Sequence, residues 1–151
     1  MEFKSVANQF DSEFITQFLC RIIIEEYDLF LKTKNAFWNY ELNETAQDIK
    51  LFESQSKEIE SLINQIAIRI IILNDRIELP SREFPATTKN YNKNQAIQEL
   101  ITRNKLLITT IKEWNKLLPI SGNDEVKNLI QKLLAKHHWM AEDLKVEMKK
   151  K

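Results

Sequence analysis

The sequence predicts an all-α protein, one four-helix bundle with a long connection between its second and third helices. Three observations carry this: a single glycine in 151 residues, four apolar stripes at three- and four-residue spacing, and connections of very unequal length. Sandwiches and barrels turn often and need residues that tolerate positive φ, so one glycine favours long helices and few turns. With 43% hydrophobic residues the chain can build a proper core. At this length a single domain, residues 1–151, is expected.

The first helix, about 6–38, follows from Phe10, Phe14, Phe18, Ile22, Ile23, Tyr27, Phe30 and Leu31, which fall on one face. Leu51, Phe52, Ile59, Leu62, Ile63, Ile66, Ile70 and Leu73 mark a second, about 44–74. Ile97, Leu100, Ile101, Leu107, Ile108, Ile111, Trp114 and Leu118 mark a third, about 94–118. Val126, Leu129, Ile130, Leu133, Leu134, Met140 and Leu144 mark a fourth, about 124–148. Asn123 or Asp124 suits its N-cap, and Glu125 in its first turn suits the helix dipole.

Asn39–Glu44 and Pro119–Asn123 are short connections, which make antiparallel neighbours, whereas Asn74–Asn94 is long, polar and broken by Pro80 and Pro85. A helix of ~30 residues is about 45 Å long and twenty extended residues reach roughly 65 Å, so the long connection can cross the bundle. A structureless loop of that size is uncommon, so a short helix is expected within it. From Ile66 to Leu73 the second helix reads IAIRIIIL, apolar nearly all the way round. Either the crossover covers this helix or it forms a subunit interface; a helix without a polar face needs partners beyond its own bundle, which favours the interface.

Charge and cysteine content exclude several functions. The 22 Lys+Arg and 22 Asp+Glu cancel, so the surface as a whole does not coat nucleic acid, and any DNA contact must come from a local patch. Lys145, Lys149, Lys150 and Lys151 form the one candidate, a DNA contact or an ordinary solubilising tail. A lone Cys20 allows neither an intramolecular disulfide nor a cysteine-based zinc site, and a reducing cytoplasm is the natural compartment. The opening MEFKSVANQF lacks the layout of a secretory signal. The longest stretch without a charged residue is Ser61–Ile68, far short of the ~20 residues of a membrane span. The only histidines, His137 and His138, are adjacent and therefore about 100° apart on a helix, so they cannot face one metal, and a structural or surface role is expected.

Three segments resemble the Dps family, the DNA-protecting mini-ferritins of starved bacteria. Lys32, Thr33, Asn35, Trp38 and Asn39 fall in register with the family's K-T-x-N-x-H-W-N motif. Ile63, Ile66, Ala67, Arg69, Leu73 and Asn74 fit its I-D-x-I-A-E-R-x-x-x-L-[GDN] motif. Lys136, His137, Trp139 and Met140 are similar to its K-H-x-W-M near the C-terminus. The resemblance implies a ferritin-like four-helix bundle, a dodecameric shell built from dimers, and Fe(II) oxidation at a site shared between two subunits.

The departures from the family pattern fall on that site. Where the resemblance places ligands, this chain has Phe37, Ile49, Asn64 and Ile68, and keeps only Glu53 as a residual metal candidate. Phe37, Trp38, Ile49, Asn64 and Ile68 are instead expected at the dimer interface, turning a charged pocket into an apolar one. No cofactor is required by this reading, although iron remains a candidate ligand. Asp124 and Glu125 lie near where Dps cages place acidic pore residues, with helix capping as the plainer role. The expected function is a shell acting in stress or DNA protection without its own iron oxidation. The alternatives are ferric iron storage in the cage, or a mixed cage with a catalytically intact paralogue.

Overall fold

A computed structural model describes residues 2–42, 50–74, 76–79, 92–118 and 124–150, with side chains from Ser12 onward. It contains α1 (Glu2–Tyr40), α2 (Leu51–Asn74), α3 (Lys93–Asn115) and α4 (Asp124–Lys149), and no strand among the described residues. α1 packs on α2 and α3, and α4 packs on α3 and α2. The order around the bundle is therefore α1, α2, α4, α3, with α1 facing α4 across one diagonal.

Cross-helix pairs give the directions. Glu58 meets Lys136 at 3.0 Å and Arg69 meets Glu125, so α2 and α4 run antiparallel. Phe18 stacks on Trp114 with ring centroids 5.5 Å apart, and Asp28 meets Arg103 at 3.6 Å, so α1 and α3 are antiparallel too. α1 ends where α2 begins, and the two lie side by side. The helices thus run up, down, down, up, and residues 75–92 must return the length of the bundle. This is the all-α, ferritin-like topology the sequence predicts; the short helix expected in the crossover falls on residues 80–91, outside the described residues.

The apolar stripes meet in one core, with Phe18, Leu19 and Ile22 of α1 and Phe52, Ile59 and Ile66 of α2 among its fully buried members, whereas Tyr27 and Leu31, expected on the same stripe of α1, lie about half a turn round from that line, Tyr27 exposed and Leu31 half-buried. Helix ends depart from the sequence expectation for identifiable reasons. α2 begins at Leu51 instead of near residue 44: Lys50 is not helical, and residues 43–49 lie outside the described residues. Its N-terminus is capped from a distance, since the N–H groups of Phe52 and Glu53 donate to Glu41 Oε1 at 2.6 and 3.1 Å. α3 opens with a capping box in which Asn92 Oδ1 accepts from Gln95 N–H and Gln95 Oε1 accepts from Asn92 N–H. It ends at Asn115, before the expected 118, because the chain tightens there into turns in which Leu117 and Leu118 N–H donate to Trp114 O and Asn115 O, and Pro119 disfavours helical backbone at Leu118. α1 runs a little beyond the expected 6–38 at each end, and α4 starts at Asp124 as expected, with Asn123 outside the described residues.

Glu41 is buried, and this burial pushes its carboxyl above the ordinary 4.5, opposed by the N–H groups of Glu53, Phe52 and Leu51 and by the charge of Lys93. An acid raised on folding contributes stability that is complete below its ordinary value and lost as pH rises through the raised one. Glu41→Gln keeps the acceptor oxygen and removes the charge. The variant is expected to match the parent in urea unfolding below about pH 4 and to become progressively the more stable as pH rises to 7. A constant difference across that range would contradict this account.

Candidate functional site on the outer face of the first helical pair

At about 100° per residue, the core line of α2 through Phe52, Ile59, Ile66 and Ile70 leaves Lys57, Asn64, Ile68, Ile71 and Ile72 facing away from the bundle. Ile68 is 56% and Ile72 60% exposed, with Ile71 close behind. On α1, Trp38 is 51% exposed, Tyr27 is exposed, and Cys20, Ile24 and Leu31 are half-buried along the neighbouring seam. These side chains are already about half covered within the subunit, so burying the remainder of each would contribute about 1–1.5 kcal/mol, and their sum makes the face a strong candidate for contact with another chain. Burial also pushes the Cys20 thiol up, which keeps it a small apolar group on this face.

Phe37 lies one residue and about 100° from Trp38, and the structure places it within the subunit's own core at 8% exposure. The ammonium groups of Lys34 and Lys50 stand 5.5 and 5.9 Å from its ring centroid. Lys50 also donates to Leu42 O at 3.4 Å. This end of the helical pair is therefore an aromatic ring under two positive charges. Glu53 is near it in sequence, but its carboxylate pairs with Lys57 at 3.5 Å. Asn64 is exposed on the outer face, and Ile49 lies outside the described residues.

The remaining candidates are spread over the molecule. Glu125 pairs with Arg69 of α2, which ties α4 to its neighbour, while Asp124 sits in the first turn of α4. α4 continues through Lys149, so the C-terminal lysines ride on a helix. Lys145 pairs with Glu142 at 3.0 Å and holds that carboxyl below its ordinary value, and Lys150 pairs with Glu147 at 3.6 Å. Lys149 is exposed, and Lys151 lies outside the described residues.

The two histidines diverge as their spacing requires. His138 is exposed, edge-on to Trp139, whereas His137 is fully buried between Glu26 of α1 and Asn104 of α3. Sequence reasoning assigned His137 a structural or surface role and missed both partners. The available signal was a polar residue in step with each apolar stripe: Glu26 four after Ile22, and Asn104 four after Leu100. Among the described residues of this single chain, no three His, Cys, Asp or Glu side chains gather in a way that could hold a metal ion.

A family model for the ferritin-like domain matches residues 16–150 of the chain. Among solved structures, the chain is similar to Dps from Thermosynechococcus elongatus, with 20% identity, 96% of each chain covered and a TM-score of 0.74. At that identity the likeness establishes the fold. No curated protein matches the chain.

Proposed function

The chain belongs to the ferritin-like domain family, and from that premise we propose that it is a subunit of a closed Dps-like shell that does not itself oxidise Fe(II). The outer face of α1 and α2 carries the reading. Trp38 sits at one end of this face, beside the start of α2, and Ile68, Ile71 and Ile72 sit toward the other, roughly 24 Å along the helix. A two-fold axis through the face brings the tryptophan end of one copy onto the isoleucine end of the other, the self-complementary geometry of an isologous dimer.

A second apolar patch, Trp139 with Val146 two turns on, lies exposed on α4. One isologous contact closes at a dimer, so a separate patch supports the further contacts that join dimers into a shell.

Iron oxidation fits these residues poorly. In place of ligands the chain has Phe37, Ile49, Asn64 and Ile68, its one kept carboxylate is engaged by Lys57, and the ammoniums of Lys34 and Lys50 repel a divalent cation near Phe37. The shell then serves stress protection as a structural cage or by DNA association. Twelve copies of Lys149 and its neighbours would give weak phosphate contacts the benefit of multivalency.

The test is Fe(II) oxidation followed by absorbance, with hydrogen peroxide and separately with oxygen, against buffer at equal iron. Rates equal to buffer are expected from a protein that elutes as a shell. A clear acceleration would return the protein to the ferroxidases.

A further inference from the structure

The bundle interior holds a polar cluster for which the shell has no evident use. Glu26 and His137 are 0% exposed and Asn104 is 1% exposed, and they come from α1, α4 and α3. His137 Nε2 is hydrogen-bonded to Glu26 Oε1, and His137 Nδ1 lies 2.9 Å from Asn104 Oδ1. The bond between α1 and α4 crosses the diagonal of the bundle, joining two helices whose backbones are not neighbours. Glu26 Oε2 has no hydrogen-bond partner among the described residues.

The proton positions follow from the neighbours. Asn104 Nδ2 donates to Leu100 O at 2.8 Å. Flipping the amide would set oxygen against oxygen there, so Oδ1 is the atom facing the imidazole and Nδ1 must carry a hydrogen. The bond between Nε2 and Oε1 needs one further proton. Whether it rests on nitrogen or oxygen, the pair as a whole is neutral. Remove it, and a carboxylate with one unpartnered oxygen faces an imidazole lone pair in the buried core; add a second, and the core holds an uncompensated positive charge.

Among the described residues, no other buried titratable group is placed to offset either change. The buried residues of α2 and α3 include none, and His137 is the only one buried on α4. The other buried acids among the described residues are engaged elsewhere, Asp28 by Lys32 and Arg103, and Glu41 by the start of α2.

We propose that Glu26 and His137 share a single proton as a structural part of the core, forming a diagonal clasp that is tightest in mildly acidic solution and loosens at both higher and lower pH. The sign follows from proton counting. In the unfolded chain an ordinary carboxyl titrates near about 4.3 and an ordinary imidazole near about 6.5. Between these values the unfolded pair also carries one proton, and the clasp contributes no pH dependence. Above about 6.5 the unfolded pair carries none while the folded pair carries one, so each pH unit lowers the folded-to-unfolded ratio up to about tenfold. Below about 4.3 the unfolded pair carries two, and the ratio falls at the same rate in the other direction.

Urea unfolding of the full chain and of Glu26→Gln from pH 4 to 9 tests this. The amide of the variant donates to Nε2 and keeps the bond without the shared proton, so the slope moves to the other side. Between pH 6.5 and 8.5 the parent should lose about 100-fold in its folded-to-unfolded ratio relative to the variant, and between pH 6.5 and 4.5 the variant should lose about 100-fold relative to the parent. Taking the difference cancels titrations that the two proteins share. Parallel profiles would overturn the proposal.

Nitrogen NMR of the unmodified protein decides the matter even if the variant does not fold. His138, exposed, serves as the internal reference. His137 should keep its Nδ1–H and show unchanged nitrogen shifts from pH 5 to 8.5, whereas titration in step with His138, or a bare Nδ1, would refute the shared proton.

Discussion

Replacing Ile68 with glutamate is expected to release the assembly into folded single subunits. The side chain is more than half exposed in the isolated subunit, so the substitution leaves the bundle core untouched and the far-UV circular dichroism unchanged. Its effect falls on the contact between copies. Fully burying an isoleucine contributes about 1.5–3 kcal/mol; with 56% of Ile68 still exposed a partner adds about half of that, and a two-fold contact contains the residue twice, so about 1.5–3 kcal/mol is lost before the cost of a buried carboxylate is added. With that cost included, the dimer dissociation constant should rise more than 100-fold, measurable by sedimentation or by light scattering on an eluting column. An Ile68→Glu protein with the parent's mass and dissociation constant would show that the isoleucine face of α2 is not the contact.

The second large effect is expected within the subunit. Phe18 is fully buried and stacks on Trp114, tying the first helix to the third. Phe18→Ala should destabilise the bundle by about 3–5 kcal/mol through lost transfer energy and the cavity left behind, out of a total of about 5–15 kcal/mol for a domain of this kind. Phe18→Leu, which keeps most of the volume, should cost less than about 1.5 kcal/mol. Urea unfolding followed by tryptophan fluorescence reads both, and the Ile68→Glu background separates subunit stability from assembly. An alanine loss as small as the leucine one would mean that the site relaxes around the change, and a leucine loss as large as the alanine one would mean that the ring stack on Trp114, which both remove, outweighs the volume.

Where periodicity carried the information, the fold was legible in the residues. Four stripes, one long polar connection and the acidic start of α4 were enough for the number, order and approximate ends of the helices. The start of α2 was not, because its cap is Glu41, ten residues upstream of Leu51 and brought there only by the turn of the chain. The candidate site was legible in part. The apolar run of α2 contains both Ile66, which is fully buried, and Ile68, which faces outward, and only the packing of the other helices sorts one from the other. Phe37 and Trp38 divide in the same way, one into the core and one out of it. The Glu26, Asn104 and His137 cluster escaped because its members are far apart in sequence and no local pattern connects them.

The long return between α2 and α3 has a kinetic consequence. Each half of the bundle is a helical hairpin rich in local contacts, so each can form quickly by itself, and their docking comes late. Closing a connection of this length costs only a logarithmic entropy, but it does not compel a hairpin to choose the partner on its own chain. In a concentrated solution the second hairpin of one molecule competes for the first hairpin of another, giving an intertwined pair with the same interior contacts. Dilution favours self-docking, so the route by which the chain is refolded sets how much of it starts assembly as closed subunits.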